Sequence, residues 1–132
     1  MPGYTLVNLN EVEDRGSQFG LTGIEARFAT VPLQLQKSGI SLQRYGPGAR
    51  LPFGHRHDQQ EELYVLVSGS GRMKLDDEIV EIKQWDALRV PSETMRNFEA
   101  GPEGAELLAF GAPNTGPSVA TDAEPTMGWW SD

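Results

Sequence analysis

The chain has 132 residues, 38% of them hydrophobic and 23% charged, the balance of one folded domain and not of a disordered or fibrous chain. Nineteen acidic against eleven basic side chains give a formal net charge of -8, which repels phosphate backbones and anionic bilayers and argues against nucleic acid or a membrane as partner. Cysteine is absent, so disulfides and thiolate metal sites are excluded and any metal must be held by nitrogen and oxygen.

The opening MPGYTLVNLNEVEDRG has no basic stretch followed by an apolar run, and no apolar stretch elsewhere approaches the ~18 residues a membrane span needs. A cytoplasmic setting is the expectation. Residues 1–35 form an irregular arm in which Tyr4 to Leu9 and Ile24 to Ala29 read as strands. From Gly39 onward, short apolar runs predict strands near Ile40 to Tyr45, Glu61 to Val67, Arg72 to Leu75, Ile79 to Ile82, Ala87 to Val90, Met95 to Glu99 and Glu106 to Gly111. Turn residues separate them: Gly46-Pro47-Gly48, Ser68 to Gly71, Asp76-Asp77 and Gly101 to Gly104. Strands recurring every eight to twelve residues with no long helix predict an all-β sandwich or barrel. Residues 113–132 read as a tail without a core of its own, whose Trp129 and Trp130 are too apolar to leave in water and should dock on the barrel or on a second subunit.

The only two histidines, His55 and His57, flank Arg56. In an extended strand alternate side chains share a face, so both imidazoles point one way and Arg56 the other. Glu61 and Glu62 open the following apolar strand, placing a carboxylate within reach. Two imidazoles and one carboxylate leave open positions on a metal and suit iron, manganese, zinc or nickel. The competing reading makes them solvated loop and strand-end residues, as exposed His and Glu commonly are.

The stretch from Gly48 to Gly69 resembles the first motif of the cupin superfamily: glycine, five residues, His-x-His, three or four residues, Glu, six residues, glycine. It carries one extra residue after Gly48, and the spacing to Gly69 selects Glu62 over Glu61 as the motif glutamate. The second motif, glycine, five residues, proline, one residue, glycine, two residues, histidine, three residues, asparagine, is degraded over Trp85 to Ala100. Only Pro91 remains of its diagnostic positions, and Arg96 stands where the fourth ligand would be. The resemblance covers about residues 36 to 112. It implies a single-domain antiparallel jelly-roll β-barrel with His55, His57 and Glu62 as metal ligands inside, and a homodimer paired through edge strands, which would otherwise lie bare.

A guanidinium has no lone pair to donate, so Arg96 opposes a cation, clamps an anionic substrate, or pairs with Glu62. Tyr64 and Phe98 are the other candidates for contact with a small molecule, although aromatic residues at alternate strand positions are usually core. No glycine-rich phosphate loop and no nucleophile elbow is present. Two functions from different classes follow: a metal-dependent enzyme acting on a small molecule, or a metal-free binding module whose ligand is held by Arg96.

Overall fold

A computed structural model describes residues 3–116 and 122–131. They form strands β1 (Ile24–Phe28), β2 (Gly39–Tyr45), β3 (Phe53–His57), β4 (Glu61–Leu75), β5 (Glu78–Lys83), β6 (Ala87–Val90), β7 (Arg96–Ala112) and β8 (Ala123–Met127). Every pairing between them is antiparallel, in the order β1-β2-β7-β3-β8, with β4 joining β7 to β5 and β6. The sheet curls into an all-β jelly-roll barrel. Among the described residues no helix is long and apolar enough to cross a membrane.

Pairing across the barrel explains where the predicted strand ends fail. Glu61 to Val67 and Arg72 to Leu75 are one strand, β4, and Met95 to Glu99 and Glu106 to Gly111 are another, β7. The glycine-rich segments between them are not hairpin turns. Gly69 pairs with Ala105 and Gly71 with Ala100, so two steps along β4 span five along β7, and Gly101 to Gly104 are displaced from the ladder while both strands continue. Gly69 and Gly104 sit there at φ +83 and +79, a region open to glycine but costly for other residues. A Cβ on either would also run into facing backbone.

Along β4 the side chains alternate about the barrel wall. Tyr64, Leu66 and Met73 are buried, whereas Leu63 is exposed. With Tyr45, Val90, Phe98, Leu107 and others they form the core, in which the Tyr45 and Phe98 rings meet edge to face at 5.0 Å. The N-terminal arm departs from expectation. Tyr4 to Leu9 do not pair into a strand, and Tyr4 and Leu6 lie exposed. The arm is tied down one turn later, where Asp14 Oδ1 accepts the amides of Gly16 at 2.8 Å and Ala26 at 2.9 Å.

The C-terminal segment contributes a strand that the sequence does not announce. Residues 123–127 pair with β3 over five residues, from Phe53↔Met127 to His57↔Ala123. Pro125 is tolerated because β8 is an edge strand with β3 as its neighbour. Beyond it Trp130 is buried beneath Arg50 and Arg72, whose guanidinium carbons lie 4.2 and 5.2 Å from the ring centroid. Trp129 covers Gly54 on the outer face of β3, where a Cβ would collide with its ring.

Candidate metal centre in the barrel

β3 gives the site its geometry by simple alternation. Phe53, His55 and His57 line a cavity of about 840 Å³, while Arg56 points outward and lies 3.6 Å from Glu124 of β8. Glu62 lies on the inner face of β4 with Tyr64 and Leu66, and Glu61 is exposed. Potential ligand atoms of His55, His57 and Glu62 all fall within 4.8 Å of one another, so the three side chains can hold a metal ion.

The contacts converge on one oxygen. Glu62 Oε1 lies 3.1 Å from His57 Nε2 and 3.5 Å from His55 Nε2, and it accepts from Tyr64 Oη and from an Arg96 terminal nitrogen, each at 2.7 Å. Burial pushes the Glu62 carboxyl up, but the hydrogen bonds and charges of His55 and His57 outweigh it and hold the group well below the usual carboxylate range. His55 moves the other way from a protonated state. Burial lowers its imidazole, Glu62 opposes, and Arg96 and His57 add to the depression, so the ring is favoured in the neutral, ligating form. Burial and the Glu62 charge raise the Tyr64 phenol well above its ordinary value, which keeps it a donor.

Asp122, which no feature of the sequence singled out, completes the arrangement. Its Oδ2 lies 3.2 Å from His57 Nδ1, and its two oxygens accept the amides of Gln59 at 3.1 Å and Gln60 at 3.0 Å. Because Asp122 is held as an acceptor, the network assigns the Nδ1 proton to His57 and leaves Nε2 a lone pair aimed at Glu62. Two lone pairs facing each other need either a second ring proton or a cation between them. His55 Nδ1 is also buried without a hydrogen-bond partner among the described residues. An imidazole oriented by a carboxylate on its far nitrogen is a recurrent support for metal ligands. Charge points the same way: Glu62 and Asp122 supply two negatives and Arg96 one positive, leaving one net negative around the imidazoles. The donor set fits a divalent transition metal.

Arg96 is 1% exposed and its guanidinium is committed. Beyond Glu62, it donates to Pro91 O at 2.7 Å and, through Nε, to Thr94 O at 3.0 Å. It does not line the large cavity, and neither does Phe98, which packs in the core against Tyr45; Tyr64 does. Of the three residues named for ligand contact, the structure therefore brings one to the cavity and places two behind its wall.

A model of the cupin domain matches residues 41–111, more than half of the chain. The chain belongs to the cupin family. Solved cupin structures share its fold. One from Bacteroides fragilis, BF4112, superposes with a TM-score of 0.72 at 23% identity, covering 89% of this chain and 91% of the other. Oxalate decarboxylase from Bacillus subtilis gives a TM-score of 0.75 at 20% identity, covering 94% of this chain but 33% of that longer one. KdgF from Halomonas gives 0.61 at 18% identity, covering 70% and 82%. A Methanocaldococcus jannaschii protein, MJ1618, is 38% identical over 45 residues, a match to 34% of this cupin and 36% of that protein. The solved structures, all at low identity, carry the fold; the site stands on the geometry of this cupin's own residues.

Proposed function

We propose that this cupin is a metal-dependent enzyme acting on a small molecule, with one iron, manganese, zinc or nickel ion held by His55, His57 and Glu62. The observation that carries the reading is the convergence of those three side chains on a cavity wall, with His57 anchored from behind by Asp122. When bound, such an ion supplies a Lewis acid and open coordination positions for water, oxygen or substrate. The chain's own residues do the rest. Asp122 fixes the His57 tautomer, and Arg96 and Tyr64 hold the Glu62 carboxylate in place. Arg96 acts in this reading as a support for Glu62 and not as a clamp on substrate, because it is buried behind the cavity wall with each of its nitrogens already bonded to Glu62 or a backbone carbonyl.

Elemental analysis of protein purified without an affinity tag tests the reading. Near-stoichiometric transition metal, lost in His55→Ala and His57→Ala, is the expected result; metal-free protein from cells grown with all four ions overturns it. A metal-free binding module is the second reading, favoured by the 2.7 Å contact through which Arg96 already balances Glu62. A homodimer belongs to either reading, since β1, β5, β6 and β8 each pair with a single strand, and sedimentation measures it directly.

A further inference from the structure

The walls of the cavity differ in chemistry from the centre they surround. Ile24, Ala26 and Ala109 line it as buried residues, and Phe28, Ile40 and Phe53 as half-buried ones. Where it opens, Phe19, Val31 and Met127 border it at 40%, 57% and 71% exposure. Hydrocarbon left in water around a concave space is stabilised when an apolar body covers it. A volume of about 840 Å³ is far more than a two-carbon acid would fill and lies in the range of sites for drug-sized ligands.

Charge on the lining narrows the ligand further. Among the described residues Arg15 is the only lysine or arginine that borders the cavity, and its half-exposed side chain lies 3.9 Å from Glu13, which borders it too. Glu62 adds a second carboxylate. The buried Arg96 spends its donors on Glu62 and backbone carbonyls. A substrate with several carboxylates or phosphates would therefore bring charges that no buried cation of the lining compensates. One oxygen-bearing head is served where His55, His57, Glu62 and Tyr64 meet.

We infer that the cavity takes a predominantly apolar small molecule, a ring or chain body with a single oxygen-bearing head turned toward His55, His57 and Glu62. The head's placement rests on the metal reading above; the apolar body rests on the cavity walls alone. The test uses anilinonaphthalene sulfonate as a fluorescent probe, with displacement by decanoate, oxalate and glucose, on metal-loaded and chelator-treated full-length protein. Saturable probe binding that decanoate reverses, and that oxalate and glucose leave in place at the same concentration, is the expected result. Val31→Asp and Met127→Asp, both at exposed positions and both checked for an unchanged urea midpoint, should weaken decanoate about tenfold, or about 1.4 kcal/mol.

Displacement by oxalate or glucose at concentrations comparable to decanoate overturns the inference, as does unchanged affinity in both rim variants. So does sedimentation showing that Val31→Asp splits a dimer, which would make the rim a contact between subunits. Decanoate binding with and without metal, in protein that retains none from the cell, would sink the metal reading while leaving the ligand class standing. Metal retention without decanoate binding would do the reverse.

Discussion

Replacing Arg96 with methionine separates what this side chain does for the fold from what it does to the site. Arg96→Met keeps much of the buried volume but removes three donors: one at 2.7 Å on Glu62 Oε1, one at 2.7 Å on Pro91 O and one at 3.0 Å on Thr94 O. Each acceptor left unpaired in the dry interior costs about 1 to 3 kcal/mol, and breaking a buried ion pair from one side costs about 3 to 5 kcal/mol. Tyr64 and His57 still face the carboxylate, which places the total near 4 kcal/mol and not at the sum of the parts. Against a stability of about 5 to 15 kcal/mol for a domain, that is a large fraction, equivalent to a melting shift on the order of 10 to 20 °C. Urea unfolding of chelator-treated protein, followed by tryptophan fluorescence, measures it. The same change removes a fixed positive charge from beside the ion, so Zn²⁺ affinity by calorimetry should rise even as apo stability falls. Adding Glu62→Leu to the variant should recover part of the lost stability. A stability loss below about 1 kcal/mol, or weaker zinc binding in Arg96→Met, would refute the charge balance derived above.

Asp122→Asn keeps the shape behind His57 but lets an amide donor face the Gln59 and Gln60 amides, so zinc affinity should fall by about 10- to 100-fold. Calorimetric titration checks this, and unchanged affinity removes Asp122 from the site. Trp130→Ala empties the space beneath Arg50 and Arg72 and should cost about 3 kcal/mol in urea unfolding, with faster amide exchange along β3 and β8. The Asp14 carboxyl is held below its ordinary value by the amides of Ala26 and Gly16. A depressed folded-state pKa means its contribution is complete above the unfolded value near 3.8 and is lost as pH falls through the lower folded value. Exchange protection of the Ala26 amide should therefore persist through pH 5 and weaken only in strong acid; loss already near neutrality contradicts the assignment.

The strands of the barrel were legible wherever local pattern alone decides them. Apolar runs such as Leu63 to Val67 declare themselves without knowledge of a partner, whereas β3 is not among the predicted strands and the His55-Arg56-His57 spacing gives the shared face of the imidazoles only once that stretch is taken as extended. Glycine-rich punctuation misled at Ser68 to Gly71 and Gly101 to Gly104, because whether glycines end a strand or bulge it depends on what lies opposite. β8 escaped notice for a related reason. Ala123-Glu-Pro-Thr-Met alternates apolar and polar residues but is short, carries a proline and has a single β-branched residue, and it is extended because β3 offers an unpaired edge. The same holds for the site. His55, His57 and Glu62 lie within eight residues and their spacing is readable, whereas Asp122 reaches His57 across 65 positions and becomes visible only when the chain is folded. The position of Arg96 was readable from the second motif and a pairing with Glu62 was one of its three readings, but the choice among the three and the bonds to the Pro91 and Thr94 carbonyls were not, since a guanidinium's partners are set by packing.

The lacing of β3 sets how the centre would exchange its contents. That strand pairs with β7 at a single position, His55 opposite Arg96, and with β8 at five, whereas β4 and β7 are zipped along nearly their whole lengths. The imidazoles thus ride on the most loosely sewn seam of the barrel, and parting it leaves the core of Leu66, Met73 and Leu107 untouched. Escape of a bound ion to a chelator would then run at the tempo of this small opening, nearly indifferent to mild denaturant, while the melting of the shell proceeds on a separate and far slower clock.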